Sequence, residues 1–524
     1  MKNIFKLRVL TALFAVALVL PFNSCTDLEP EVFSDLTPEN FPVTSDDLVT
    51  AYLSSYTRLY PMMNHGGYMS IQEVSSDEIM IPQRGSDWFD GGIWLRTHRH
   101  AYDPTDQQFN GAWSFLYQGA IQANSVIAAI ESAGSLTDEE KAPFLAELRS
   151  LRAYFYWLLL DSFGDVPLVT EDSDPTDIEP AAAPRADVYD FVVSELNAVA
   201  GDLSTSTGTD TYGKINFYAN RALLSRVLLN AEVITGTARW AEAAAAADQV
   251  INANVYSLED NYFANFDPDN DNGFESTSEN IWVIPYDAPA VAGGFNIPQM
   301  TLHYSSQATF DLQDQPWNGY CTLQEFYESY EDGDERKGVS GTAQVRGNFL
   351  AGPQFALDGV TPLTDGSADD PGGLEVVFTP EVNALEPNAF RQAGARVFKY
   401  GYATGSPNTI ANDFPIIRYA EVLMNKAEAQ FRQNQGGYGM LVNMVRERAE
   451  LDPVAEGDMD ADFMLAERGR EFFYEGTRRQ DLIRFGQFSS EWFAKGSSPA
   501  TATIFPIPQP QLDANRNLMQ NPGY

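Results

Sequence analysis

Two segments of the sequence combine flat aromatic rings with hydrogen-bonding side chains. The candidate ligand-binding residues, three in residues 87–100 and three in residues 304–320, are Asp87, Trp88, Trp94, Tyr304, Trp317 and Asn318. Sugar rings have apolar C–H faces edged with hydroxyl groups, so a site for them needs aromatic faces and carboxylate or amide rims. The mixture favours carbohydrate binding. Burial in the core is the alternative for each tryptophan.

Signals for metal or nucleophilic chemistry are weaker. His98 and His100 are two residues apart but lack further ligands nearby in the sequence. Residues 267–273 alternate acids as a calcium loop does, but their glycine comes one place late and Ser278 occupies the twelfth position, so a polar surface loop is favoured. Cys321 is predicted to be a small buried residue. No catalytic carboxylate pair or Gly-x-Ser-x-Gly motif stands out, so we predict no catalytic residue, metal or cofactor.

The charge balance excludes two classes of partner. The 524 residues include 33 Lys and Arg against 73 Asp and Glu, a net charge of −40. A nucleic-acid binder must neutralise phosphates with cations, and anionic lipid attracts basic segments, so neither partner fits this surface. At 44% hydrophobic and 12% aromatic, the chain is long and apolar enough for a large folded core.

The N-terminus has the pattern of a bacterial export signal. Lys2, Lys6 and Arg8 precede an apolar run over residues 9–20, which is too short to span a membrane comfortably. Cys25 follows this run after four intervening residues, where lipoprotein processing attaches diacylglycerol. We therefore predict a lipoprotein signal peptide over residues 1–24 and a lipidated tether over residues 25–45. An ordinary secreted protein with an incidental cysteine is the alternative.

Apolar residues recur at helical spacing in paired segments of the rest of the chain. The predicted helices cover residues 46–60, 109–132, 137–162, 184–199, 215–235, 238–252, 415–433 and 439–450. Thr137 and Glu140 form a capping-box pattern at the start of one of them. Paired helices with small residues at their contacts are typical of a tetratricopeptide-like array. The fold class is therefore predicted to be all-α, a tetratricopeptide-like helix-pair scaffold.

Two stretches interrupt this helical pattern. Residues 63–105 and 256–412 are rich in Gly, Pro, Asp and aromatic residues, with short strands predicted at 280–286 and 395–400. Loops on a rigid scaffold commonly carry binding sites. We divide the chain into a helical region over residues 46–255 with the inserted binding loop 63–105, and a region over residues 256–524. The second region includes the loop-rich part 256–412 and a final helix pair within 413–450.

A block of alternating charge occupies residues 467–485. Its acids and bases are spaced three and four apart, which supports a helix, and Phe472, Phe473, Leu482 and Phe485 give it an apolar face. A phosphate site is one interpretation. A structural ion-pair network that joins helices is strongly favoured.

Taken together, these segments resemble the SusD/RagB family of outer-membrane nutrient-binding lipoproteins. The resemblance rests on Cys25 with its acidic tether and on four stretches that span nearly the whole chain beyond it. These stretches are residues 151–168, 414–423, 467–485 and 505–524. The resemblance implies a helical scaffold of four tetratricopeptide-like pairs that carries an irregular ligand-binding region.

The resemblance also implies a function. A protein of this family is expected to be a lipid-anchored, surface-exposed outer-membrane protein that captures oligosaccharides without catalysis. It is expected to deliver them to a SusC-like TonB-dependent transporter. The six candidate residues named above would bind the glycan. Peptide binding, as in the RagB branch, is the main alternative; a glycoside hydrolase or a scaffold that binds only proteins are the others.

Overall fold

The described part of the chain begins after the predicted tether. A computed structural model describes residues 45–271, 277–286, 294–338, 346–365 and 375–524. The predicted signal peptide, Cys25 and nearly all of the tether lie outside these residues, as does the end of the possible calcium loop. Among the described residues, no helix is both long and apolar enough to cross a membrane.

Helices dominate the part of the chain before residue 256. They are α1 (Ser45–Thr57), α2 (Tyr68–Val74), α3 (Ile93–His98), α4 (Gln107–Ser132), α5 (Asp138–Phe163), α6 (Arg185–Ala198), α7 (Phe217–Leu229), α8 (Ala231–Thr235) and α9 (Trp240–Ile251). Sequential neighbours pack together, α4 on α5 and α5 on α6, while α7 packs on α9. The predicted capping box at Thr137 and Glu140 is present and starts α5. Gly119 of α4 faces the Phe155 ring of α5, and a Cβ at Gly119 would lie 2.2 Å from that ring. Helix pairing here depends on a small residue, as predicted.

Short helices and a final group of helices follow in the second half. They are α10 (Ile297–Thr301), α11 (Gln307–Phe310), α12 (Gln324–Glu328), α13 (Tyr419–Arg432), α14 (Tyr438–Arg448), α15 (Ala461–Phe472), α16 (Arg478–Arg484) and α17 (Gln509–Ala514). The pair α13 and α14 matches the predicted final helix pair. Helix α13 also packs on α7 and α9, so the two halves of the helical scaffold share one core.

The strands form short antiparallel two-stranded ladders. They are β1 (Ile79–Met80), β2 (Val166–Pro167), β3 (Ala182–Ala183), β4 (Asn280–Ile284), β5 (Cys321–Thr322), β6 (Phe349–Leu350), β7 (Gly352–Pro353), β8 (Val377–Phe378), β9 (Arg396–Val397) and β10 (Phe414–Arg418). Their pairs are β1 with β5, β2 with β3, β4 with β10, β6 with β9, and β7 with β8. The β1–β5 ladder joins residues 79–80 to residues 321–322, so it brings the two aromatic segments of the sequence together.

The predicted helix over residues 415–433 is wrong at its start. Residues Phe414–Arg418 form β10, which pairs with β4 through Phe414 opposite Ile284 and Arg418 opposite Asn280. Both strands are buried along their whole length. Aromatic and β-branched residues suit a strand that is buried on both faces, and the helix begins only at Tyr419.

The predicted loop over residues 63–105 is more ordered than its composition indicates. It contains α2 and α3, and most of its side chains are buried. His98 ends α3, where its Nε2 lies 2.8 Å from the Phe493 carbonyl oxygen. His100 stacks on Phe488 at a ring distance of 4.2 Å and hydrogen-bonds Ser75 and Ser498. The two histidines therefore lie in packed surroundings.

The charged block over residues 467–485 forms two helices, α15 and α16, instead of one. Tyr474 and Gly476 adopt left-handed backbone angles of φ 55° and 73°, which end α15 and reorient the chain. The predicted ion-pair network is present and largely buried. Its pairs are Arg336 with Asp334, Glu467 and Glu471; Arg418 with Glu279, Glu471 and Glu475; Arg446 with Glu467; and Arg448 with Glu279 and Glu471.

Candidate ligand-binding site

Aromatic rings reach the surface on three neighbouring loops. Phe89 is 48% exposed, Trp317 is 39% exposed and Phe390 is 37% exposed, while Trp88 and Tyr304 are partly buried. We call these five residues the aromatic platform. Exposed apolar side chains that gather on neighbouring loops mark candidate interaction sites, so the platform is a candidate surface for a ring-shaped ligand.

Arg84 ties the three platform loops together from below. Its side chain is buried, and its Nε donates to the Asn318 carbonyl oxygen at 2.9 Å, while its Nη2 donates to the Ala393 carbonyl oxygen at 3.0 Å. Its Nη1 donates to the Phe390 carbonyl oxygen. Because hydrogen bonds from a charged donor are stronger than neutral ones, this guanidinium fixes the backbone on which the rings stand.

Trp88 is locked against the loop that carries Trp317. Its backbone has φ 61°, unusual for a bulky residue, and its indole Nε1 donates to the Trp317 carbonyl oxygen at 2.6 Å. The ring covers Gly319 so closely that a Cβ there would lie 2.5 Å from two of its atoms. Only glycine permits this approach. The Trp88 ring is therefore fixed on the backbone of the loop that carries Trp317.

Trp317 rests on a neutral histidine. The His65 ring meets it edge to face with centroids 5.3 Å apart, and Asn296 Nδ2 lies 2.9 Å from His65 Nδ1. Burial lowers the pKa of His65 below its usual value, although the nearby Asp90 carboxylate opposes this shift. The imidazole is therefore neutral at pH 7 and supports the indole without adding a positive charge.

Tyr304 and Asp87 join the two aromatic segments through a side-chain hydrogen bond. The Tyr304 hydroxyl donates to the Asp87 carboxylate, and burial is the main reason that the pKa of Tyr304 is raised. The Arg391 guanidinium lies over the Tyr304 ring, 4.9 Å from its centroid, and pairs with Asp365 at 3.0 Å. This arrangement places a carboxylate, a phenol and a guanidinium beside the tryptophans, which suits the hydroxyl rim of a sugar.

Asp365 also contacts a buried histidine. The Nε2 of His303 lies 3.1 Å from Asp365 Oδ2, and its Nδ1 accepts a hydrogen bond from the Ser305 backbone N–H. Burial, with help from the Arg396 charge, lowers the pKa of His303 to about 3. His303 is thus a neutral imidazole that donates to Asp365 and holds the carboxylate for Arg391.

Two of the six predicted ligand-binding residues lie under the platform. Trp94 is 3% exposed and donates from Nε1 to Asp90 Oδ2 at 2.9 Å. Asn318 is fully buried, donates from Nδ2 to the Arg391 carbonyl oxygen at 2.9 Å and accepts from Arg396 at 2.8 Å. These side chains hold the loops and do not reach the surface. Asp87, Trp88, Tyr304 and Trp317 do reach it and lie together.

Sequence reasoning missed several members of this surface. Phe89 stands inside the first aromatic segment but was not singled out, and His65, Phe390 and Arg391 lie far from both segments in the sequence. A Phe-Arg pair in a loop is too common a pattern to identify a site. Their places are set by contacts between loops, above all the hydrogen bonds from Arg84.

Metal ligands do not gather in the described part of the chain. Within it, no group of three or more His, Cys, Asp or Glu side chains could hold a metal ion. Asp267, from the possible calcium loop, accepts a hydrogen bond from Arg346 Nε at 2.8 Å. Cys321 is buried, as predicted, and burial raises the pKa of its thiol. It is a packing residue in β5.

Fold and site together define a class: a helical binding protein whose loops present aromatic rings framed by carboxylates. Two family models match the chain, one described as "SusD family" over residues 278–524 and one described as "Starch-binding associating with outer membrane" over residues 32–229. The chain belongs to the SusD/RagB family.

Relatives agree with this assignment along the length of the chain. The starch-binding protein SusD of Bacteroides thetaiotaomicron is 27% identical over 461 residues, 81% of this chain and 80% of that protein. SusD-like protein P2 of Formosa agariphila is 24% identical, with coverage of 97% and 98%. Surface glycan-binding protein A from Bacteroides thetaiotaomicron, solved with laminarihexaose, has a TM-score of 0.72 at 23% identity, with coverage of 91% and 99%. The structural likeness confirms the predicted all-α, SusD-like fold.

Proposed function

We propose that this protein captures oligosaccharides at the bacterial surface and passes them to a SusC-like TonB-dependent transporter without cleaving them. Lipidation at Cys25 would hold it on the outer membrane. The family model described as starch-binding and associated with the outer membrane supports the location, and the names of the relatives support a glycan ligand. Peptide capture, as in the RagB branch, is the alternative that the experiment below must distinguish.

One observation carries the proposal: Trp317 is exposed, and the Trp88 ring is fixed on the same loop by its 2.6 Å hydrogen bond to the Trp317 carbonyl oxygen. A fixed indole face loses little conformational entropy when a sugar ring stacks on it. Asp87 and Arg391 stand beside it and can accept from or donate to ring hydroxyls. Asp87, Trp88, Tyr304 and Trp317 are therefore proposed as ligand contacts. Trp94 and Asn318 are proposed as their supports.

Capture without hydrolysis fits the positions of the carboxyl groups relative to the platform. A glycosidase needs a carboxyl with a raised pKa at the sugar to act as general acid. Five described glutamates have pKa values that burial raises, Glu73, Glu78, Glu131, Glu147 and Glu335, and none of them is a platform residue. At the platform, Asp87 and Asp365 instead accept hydrogen bonds from Tyr304 and Arg391. We propose them as hydrogen-bond acceptors beside the ligand.

The test is a titration of the purified protein against soluble polysaccharides and peptides, with release of reducing ends measured in parallel. We expect one or more polysaccharides to retard the protein in affinity gels without yielding products. Binding of peptides alone would move the assignment to the RagB type. Release of reducing ends would contradict capture without cleavage. Release that persists after Asp87→Asn and Asp365→Asn would place the catalytic site away from the platform.

A further inference from the structure

Three aspartates lie beside the platform rings, while Arg96 and Arg99 of the first aromatic segment are paired with Asp106 and Glu386. Asp87 and Asp90 flank Trp88 and Phe89, Asp314 is exposed on the loop that leads to Trp317, and the whole chain carries a net charge of −40. Asp90 is close enough to His65 to affect its pKa. A ligand that stacks on Trp317 therefore approaches at least two carboxylates.

The arginines of this region are already occupied by protein groups. Arg84 and Arg396 are buried and donate to loop carbonyl oxygens. Arg391 is partly exposed, but it pairs with Asp365 at 3.0 Å and also lies within the field of Asp87. His65 is neutral at pH 7. An anionic sugar at Arg391 would compete with Asp365 for the guanidinium, and this competition would oppose binding.

We propose that the platform selects uncharged glycans and rejects polyanionic ones, such as uronic-acid or sulfated polysaccharides. This inference rests on the proposed function and adds a substrate class to it. Hydroxyl groups of a neutral sugar donate to carboxylates in strong charge-assisted hydrogen bonds. Carboxylate or sulfate groups offer only acceptors at pH 7 and are repelled by the same oxygens. The carboxylates of Asp87 and Asp90 thus disfavour binding of polyanionic glycans.

The test compares neutral polysaccharides with charged partners of the same backbone. The probes are laminarin and sulfated laminarin, dextran and dextran sulfate, and hydroxyethylcellulose and carboxymethylcellulose, with alginate as a further polyanion. We expect at least one neutral probe to bind and its charged partner to bind at least tenfold more weakly at low salt. Added salt should narrow that difference, since it screens exposed charges.

A charge-removing variant tests the cause of the selection. Asp90→Asn keeps an oxygen that can accept from Trp94 but removes one negative charge, so affinity for the charged partner should rise about threefold. Asp458→Asn, at an exposed aspartate in residues 456–458, is the matched control and should change nothing. Equal or tighter binding of any polyanion would overturn the charge selection and leave glycan capture intact. Absence of binding to all probes would overturn both.

Discussion

Gly319→Ala is the substitution that most directly disturbs the geometry of the platform. A Cβ at this position would lie 2.5 Å from Trp88 Cε2 and Cζ2 and 2.9 Å from the Met300 carbonyl oxygen. Ordinary contacts between such atoms are about 3.5 Å or longer, so the indole would have to retreat by about 1 Å. That movement would stretch the hydrogen bond from Trp88 Nε1 to the Trp317 carbonyl oxygen beyond its useful range.

The expected cost of Gly319→Ala follows from these contacts. Overpacking costs about 1–3 kcal/mol, and loss of one hydrogen bond adds about 1 kcal/mol. Because Trp88 is partly exposed, its ring can swing outward, which places the loss of stability near 2 kcal/mol. Glycan affinity should fall about tenfold, since the ring that swings out is part of the binding surface.

Urea denaturation and a glycan titration measure the two effects on the same preparation. Gly134→Ala is the matched control, because a Cβ at Gly134 would meet no atom within 4 Å. The double variant Gly319→Ala/Trp88→Ala should recover part of the stability, since the clash with the indole is removed while that with the Met300 carbonyl oxygen remains, but none of the affinity. Unchanged stability and affinity in Gly319→Ala would refute the close packing of Trp88 on this loop.

Two further predictions concern the buried charges. Glu73 and Glu78 accept hydrogen bonds from the backbone N–H groups of Gly476 and Tyr474. Burial raises the pKa of both carboxyl groups, that of Glu73 from 4.5 to about 7. Between these two pH values Glu73 is therefore mainly protonated in the folded protein but ionised in the unfolded chain. The contribution of these groups to the free energy of unfolding should therefore be greatest near pH 4.5 and fall by about 3 kcal/mol as the pH rises through about 7. Glu78→Gln should flatten this pH profile in urea titrations. An unchanged slope would contradict the raised pKa values of the two glutamates. For Glu471, burial alone would raise the pKa, but the charges of neighbouring arginines outweigh it and hold the pKa at about 2, so Glu471→Gln should lower the free energy of unfolding by about 3–5 kcal/mol. A loss below about 1 kcal/mol would show that water replaces the carboxylate.

The helical scaffold was readable from the sequence because its signals are local. The spacing of apolar residues and the Thr137–Glu140 capping box act within a few turns of one helix, and the predicted helix pairs match α4 with α5 and α13 with α14. Strand β10 was missed because its partner β4 lies more than 130 residues earlier, and no local period reports such a pairing. The break between α15 and α16 was missed because charge spacing continues across Tyr474 and Gly476.

The site was predictable in its residue types but not in its exposure. Trp88 and Trp94 are six residues apart in similar surroundings, yet one lies at the surface and the other in the core. That difference arises from the left-handed turns at Trp88 and Asp90 and from the contact with Gly319. Such features depend on tertiary packing. His65 and Arg391 could not be found for the same reason, because only the folded chain brings them to Trp317 and Tyr304.

The central claim is that Trp317 and its neighbours bind a glycan, and a comparison of two tryptophan variants tests it most directly. Trp317→Ala removes a ring that is 39% exposed, and Trp240→Ala removes a partly buried ring at the start of α9 in the helical scaffold. Calorimetric titration with the polysaccharide that binds the unchanged protein should show about 30-fold weaker binding for Trp317→Ala and unaltered binding for Trp240→Ala. Equal affinities in all three proteins would place the glycan site elsewhere.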